Sequence, residues 1–322
     1  MHLFHSLKSL VLISLFIFLS ACSENEIEKL TISSSPWPGY EPLYLARDLG
    51  YFDNEKVKLF ELPSSDITME SFRNHSTDLA SLTMDEIFEL LSEGTKLRIL
   101  LVMDISNGGD AVLAKPGIKK LKDIKGKRIS MVNIPLGLYM LNRLLDKAGL
   151  ERKDVEVFPM PETHQVQFVK EGNADVAITF EPVKSQLAKQ GMHVLFDSSD
   201  IPNEIFDLLV VHEDVYQNNF DEICEIGKQW FKTLDYIENN NEHALKQMGK
   251  RLGVDLTTFK EMMKGLFVPS MDENNKLLAG NKPDFLAPAN NLASIMLKEK
   301  QLSKMVDVSV ALDDKFMACV SK

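Results

Sequence analysis

Three cysteines and two tryptophans in 322 residues are few, and several catalytic patterns are missing altogether. There is no Cys-x-x-Cys, no His-Glu-x-x-His, no Gly-rich phosphate loop ending in Lys-Ser/Thr and no Gly-x-Ser-x-Gly. These absences remove the usual sequence grounds for a thiol redox centre, a zinc hydrolase, a nucleotide hydrolase or a serine hydrolase. Uninterrupted basic blocks and basic stripes interleaved with aromatics are also lacking, and the net charge is −11. Nucleic acid is therefore excluded as a partner. The seven histidines are scattered, with His75 and His164 reading as surface or cap residues, so no metal or cofactor is expected. Methionines such as Met248, Met262 and Met263 fall at apolar helical positions, which reads as core packing. Beyond Leu10 to Leu19 no run is long and apolar enough to span a bilayer.

That single run organises the N-terminus. Lys8 precedes it and Leu19-Ser20-Ala21-Cys22 follows at once. A charged start, a short apolar core and small residues before the cut describe a secretory signal peptide. The cysteine directly after the cut matches the bacterial lipoprotein pattern. Residues 1–21 are read as signal, 22–29 as tether and Cys22 as the acylated residue, carrying palmitate-type chains that anchor a soluble protein to a membrane surface. The mature protein then faces the periplasm or the cell exterior. In a cell with two membranes, Ser23 favours the outer one over the inner. Cys224 and Cys319 could pair in an oxidising envelope. A core this large needs no staple, which favours two unpaired buried thiols.

What is there is most informative between Leu30 and Leu62. Leu30 to Ser33 reads as a strand, Ser35-Pro36-Trp37-Pro38-Gly39-Tyr40 as a rigid loop, then a short helix and a strand from Val57 to Glu61. Pro42 suits a first helical turn and Gly50 a helix end. A βαβ unit implies a parallel sheet whose crevice lies beyond the carboxyl ends of its strands. Trp37 and Tyr40 fall at that crevice. Held between prolines, they suit a ligand-facing wall, because little entropy remains to be lost on binding. The plainer alternative is that Trp37 plugs its loop onto the sheet.

Strand and helix patterns alternate from there to Val211, restarting near Leu121, and after Asp221 the chain turns mainly helical until Val306 to Val310. An α/β fold of two lobes follows, each a mostly parallel sheet flanked by helices, with a helical C-terminal segment. Lobe one is read as 30–112 with 207–322 and lobe two as 113–206. The crossings are placed near Ala111–Lys115 and Ser199–Asp207, where a hinge could close the lobes over a ligand.

Trp37-Pro38-Gly39-Tyr40-Glu41-Pro42-Leu43-Tyr44-Leu45-Ala46, with Gly50-Tyr51-Phe52, resembles the opening of the nitrate/sulfonate/taurine family of ABC-importer solute-binding proteins. Thiamin-precursor binders belong to the same broad group. Leu121 to Gly126 and Gly172 to Ala177 with Glu181-Pro182 extend the resemblance. Asp104 to Asp110 and Phe196 to Asp207 are similar to the subgroup associated with urea-carboxylase pathways and guanidine-like compounds. This chain departs from that subgroup near Asn133, Gly137 and Leu138, where acidic and polar residues are usual. The resemblance implies a type II periplasmic-binding-protein fold, a small-molecule ligand, an ABC permease as partner, a monomer and no catalytic residue. Fungal pyrimidine synthases of the broad group carry a cysteine-rich metal motif that is missing here. A ligand-presenting accessory of a membrane sensor would look the same in sequence.

The strand-end loops supply Thr83, Asp85, Asp104, Ser106, Asn107, Asp110, Asn133, Glu181 and Asp207, and no arginine or lysine. With Trp37 and Tyr40 these are the candidate ligand-binding residues. Several carboxylates facing one cleft repel an anion and suit a cation or a neutral molecule with many N–H donors. Aromatic walls add cation–π attraction. Helix N-termini can still hold a sulfonate or nitrate without basic side chains. Each acid also has a structural reading: Asp85 as a helix cap, Asp104 and Asp207 as backbone braces of the hinge.

Overall fold

The computed structural model describes Lys29–Lys322, so the expected signal peptide, Cys22 and nearly all of the tether lie outside the described residues. Eleven strands form among those residues: β1 Leu30–Ser34, β2 Val57–Glu61, β3 Leu79–Thr83, β4 Leu97–Ser106, β5 Asp110–Ala114, β6 Arg128–Val132, β7 Glu156–Met160, β8 Val176–Phe180, β9 His193–Asp197, β10 Phe206–His212 and β11 Leu266–Phe267. One sheet has the order β11-β4-β10-β3-β1-β2 and the other β7-β6-β8-β5-β9. Each sheet, with its flanking helices, makes one lobe of the expected two-lobed α/β fold. Strands β3, β5, β8 and β10 are buried along their whole length, which is why they read as apolar runs rather than alternating ones.

The sheets are mixed, not mostly parallel. Strands β2 and β3 run parallel to β1, while β10 lies antiparallel between β3 and β4. In the second sheet β5 is antiparallel to both β8 and β9. The cause is the double crossing. Strand β4 leaves its sheet at the cleft and β10 re-enters from the same side, so the two must run in opposite directions. Strands β5 and β9 meet the same constraint from the other lobe. The outward passage takes only Asn107–Gly109, ahead of the Ala111–Lys115 stretch read from sequence, because β5 joins the second sheet at Asp110. An apolar run such as Ala111–Ala114 looks alike in either sheet.

The helical segment packs back on the first lobe. Asn274, fully buried, accepts from Val102 N at 2.8 Å and donates to Val102 O at 3.1 Å, replacing a missing strand partner on β4. The Asn241–Arg251 helix is tied down by Arg251, whose Nε donates to the buried Glu41 at 2.6 Å. Two expectations for this segment are corrected. Cys224 and Cys319 form a disulfide, Cα–Cα 6.1 Å, joining the Phe220–Asn239 helix to the Asp314–Val320 helix. A large core does not need such a link, but sequence spacing is silent on which helices touch. Val308–Ala311 is a 3₁₀ turn, not a strand, and the extra strand is β11 at Leu266–Phe267. No helix among the described residues is long and apolar enough to cross a membrane.

Candidate functional site

Local chemistry brings the aromatic loop to the cleft. Trp37 has an extended backbone, as a residue before proline must, and Pro38–Tyr40 makes one 3₁₀ turn leading into the Glu41–Asp48 helix. Gly39 is needed there because a Cβ would collide with Asp104 Oδ2. Gly109 is needed on the passage between lobes, where a Cβ would lie 2.7 Å from the Trp37 ring. The two strand-end acids Asp104 and Asp207 are directly paired across β4 and β10, and Thr83 pairs with Asp207 from the other side. Trp37 Nε1 donates to Asp104 Oδ2 at 2.8 Å, and the Tyr40 hydroxyl donates to Asp207 Oδ1.

Like charges directly opposite on neighbouring strands are unfavourable, and here both are buried. Burial raises the Asp104 carboxyl to about 8, against the opposing Trp37 bond. Burial and the charges of Asp104 and Asp110 push Asp207 well above the usual carboxylate range. The two acids therefore titrate as a pair that keeps a proton at neutral pH. Asp110, on the facing lobe, is raised to about 7 by burial, with the Ser106 hydrogen bond and the Lys184 ammonium pulling it back. Asp85 is pushed to about 7 and Glu86 to about 8, chiefly by burial.

Between the lobes lies a small cavity. Ser35, Trp37, Tyr40, Ser65, Thr83 and Asp207 line it from the first lobe, and Asp110, Ile134, Leu136 and Phe180 from the second. Trp37 meets Phe180 edge-on across it, ring centroids 5.9 Å apart. Thr83 Oγ1 and Asp110 Oδ2 are buried without a partner in the protein, so acceptor capacity is left for a ligand. Centres of water-sized molecules have about 20 Å³ to occupy, somewhat more than the roughly 10–15 Å³ one water requires. The closed cleft therefore suits a ligand of only a few heavy atoms.

The sequence-derived candidates divide. Trp37, Tyr40, Thr83, Asp110 and Asp207 come together on the cavity wall. Asp104 sits behind it, fully buried, gripping Trp37. Asp85 is the second residue of the Met84–Glu93 helix, at whose N-terminus Glu86 Oε2 accepts from Thr83 N at 2.9 Å. Ser106 braces the hinge through Ser198 Oγ at 2.8 Å and Asp110 N at 3.1 Å. Asn107 is exposed, its backbone N–H bonded to Gly265 O. Asn133 faces a separate groove beside Asp66 and Arg152. Glu181 accepts from Ser185 N at 3.0 Å, bracing the Val183–Lys189 helix. One residue overlooked in the loops is Lys184, which reaches Gly108 O at 2.8 Å and Glu181 at 3.4 Å. It is the second residue of the Val183–Lys189 helix, so a search of loops alone passes over it. Ser35, Ser65, Ile134, Leu136 and Phe180 carried no signal beyond lying at strand or helix ends.

Comparison with known proteins agrees with this architecture. An alkanesulfonate-binding protein from Xanthomonas axonopodis pv. citri, solved with MOPS bound, is 15% identical and superposes with TM-score 0.73 over 88% of this chain and 97% of its own. The periplasmic nitrate-binding protein from Synechocystis PCC 6803 is 13% identical, with TM-score 0.69 over 92% of this chain and 86% of its own. Such identities carry the fold alone. A Brucella abortus (strain 2308) protein described as a binding protein is 26% identical over 150 residues, 45% of this chain and 47% of that relative. The chain thus spans about half the length of the curated relative it matches. The family model described as "NMT1/THI5 like" matches residues 37–244, well over half of the chain, and the chain belongs to that family.

Proposed function

We propose that the protein is an extracytoplasmic solute-binding protein, lipid-anchored through Cys22, that closes its two lobes over one small nitrogen-containing ligand and delivers it to an ABC importer. One observation carries this reading. The cavity is built from both lobes, so it exists in this form only when they are shut, and it presents unpartnered acceptors, Thr83 Oγ1 and Asp110 Oδ2, between aromatic walls. Family membership and fold neighbours that bind alkanesulfonates and nitrate support a binding role.

Trp37, Tyr40, Thr83, Asp110 and Asp207 are the ligand contacts in this reading, and Asp104 acts through Trp37. The acceptor-rich lining favours a cation or a donor-rich neutral molecule over an anion. Delivery to a membrane sensor instead of a permease would use the same binding step, and neighbouring genes for a permease and ATPase distinguish the two. The direct test is a thermal-shift screen over guanidine, urea, amines, amides, sulfonates, nitrate and pyrimidines. A ligand at a hundred times its Kd adds about 2.7 kcal/mol of apparent stability. Stabilisation by nitrogenous donors is expected. Stabilisation by sulfonates or nitrate alone would replace the nitrogenous ligand with an anion.

A further inference from the structure

The first turn of any helix leaves N–H groups without intrahelical partners. In the Ser65–Arg73 helix of the first lobe, the N-cap residue Ser64 does not satisfy them; its hydroxyl goes to Asp66. The acceptor comes from the opposite lobe. Glu162 Oε1 lies 3.0 Å from Ser65 N. Glu162 opens the Glu162–Lys170 helix, which flanks the second sheet, and is only 5% exposed, with its other oxygen unpartnered. Ser65 itself lines the cavity, its hydroxyl 3.1 Å from Ser35 Oγ. Away from the hinge, two other side-chain bonds join the same lobes, Gln301 to Pro135 O at 3.0 Å and Lys189 to Thr258 Oγ1 at 3.1 Å, and both are made by side chains that reach solvent.

We infer that Glu162 is the closing latch of the cleft and a specificity-determining residue: shut, it supplies the missing cap of the Ser65–Arg73 helix and fills the place an oxyanion ligand would need. A helix N-terminus beside a cavity is an anion site by its nature. Here the protein supplies its own anion from the far lobe, and Asp66 adds a second negative charge nearby. An incoming oxyanion must displace Glu162 and then lie beside it. A cation or neutral donor faces no such competition, and closure over it is reinforced by the cap. The inference takes from the proposed function only that the lobes hinge.

Tryptophan emission gives the test a readout independent of ligand, since Trp37 spans the lobes to Phe180 while Trp230 is fully buried in the first. On the full-length protein, acrylamide quenching and methanesulfonate calorimetry are measured for wild type, Glu162→Ala and Glu162→Gln. Losing a cap shifts such an equilibrium about two- to thirtyfold. Glu162→Ala should therefore expose Trp37, red-shifting the emission and at least doubling its quenching, and bind methanesulfonate at least tenfold more tightly than wild type. Glu162→Gln keeps an acceptor but not the charge, so quenching should stay near wild type while methanesulfonate affinity rises. Quenching and methanesulfonate affinity unchanged in both variants would overturn the latch. If the alanine variant does not fold, an unchanged methanesulfonate affinity in Glu162→Gln overturns it alone. Tight methanesulfonate binding by wild type would overturn it as well. A nitrogenous-ligand screen that fails while the quenching shift is present defeats only the proposed ligand.

Discussion

Replacing Asp110 by asparagine tests the charge of the ligand most directly. Asp110 opens β5 from the second lobe, lines the cavity and has an unpartnered Oδ2. Burial raises its carboxyl to about 7, and the Lys184 ammonium only partly offsets that. A cationic ligand binds the ionised form, so binding must expel the proton wherever one is held. An acid with pKa about 7 goes from about nine-tenths ionised at pH 8 to about one-tenth at pH 6, so affinity should fall about tenfold over that range. Asparagine keeps the shape and removes the charge-assisted hydrogen bond, worth roughly 1.5–3 kcal/mol. The expected loss is about ten- to a hundredfold at pH 8, and the pH dependence should become shallower, keeping only what the Asp104–Asp207 pair and its neighbours contribute. Calorimetry from pH 6 to 8, in two buffers of different ionisation heat, measures affinity and proton release together. A pH slope as steep in Asp110→Asn as in wild type, or a best ligand that is an anion and binds the variant more tightly, would refute the reasoning.

Three further expectations rest on separate parts of the molecule. Asp104 is raised to about 8 in the fold from a usual value near 3.9, so the folded state holds protons that the unfolded chain has released. The stability it contributes is complete below about pH 4 and lost as pH rises towards 8; Asp104→Asn should raise the ligand-free Tm more at pH 8 than at pH 5. The Cys224–Cys319 bridge spans 95 residues, and the chain-entropy model assigns such a loop about 4–5 kcal/mol. A double alanine variant should lose about that much in urea unfolding without a change in ligand affinity, since neither cysteine lines the cavity. If Cys22 is acylated, wild type should partition into detergent and Cys22→Ser should stay in the aqueous phase; equal partitioning removes the anchor.

The cleft was partly legible because its residues lie at strand ends, and strand ends are readable from apolar runs bounded by polar ones. Trp37, Tyr40, Thr83 and Asp207 could be picked out on that ground. Asn133 and Asn107 satisfied the same criterion and point elsewhere, because the direction of a side chain at a strand end depends on the turn that follows. Asp104 showed as a cleft acid, but the register that sets it behind Trp37 belongs to β4 and β10, which are a hundred residues apart in the chain. Lys184 and Glu162 were passed over for a common reason. Each sits at the start of a helix, where a charged residue is unremarkable until its tertiary partner is known.

From its own residues the chain determined the run of βα units, the helical C-terminal third and the rigid aromatic loop, since these depend on neighbours within a few positions. Periodicity, proline and glycine act locally. The tertiary structure alone decided that β4 pairs with β10 and β5 with β9, that Cys224 meets Cys319, and that Glu162 caps a helix of the other lobe. Each of these joins residues about a hundred positions apart, and such contacts are chosen by which buried surfaces fit and by the geometry of a chain that crosses the same hinge twice. The raised carboxyl groups of the cleft follow from the same cause: an aspartate's type is written in the sequence, while its burial and its neighbours are made only by tertiary packing.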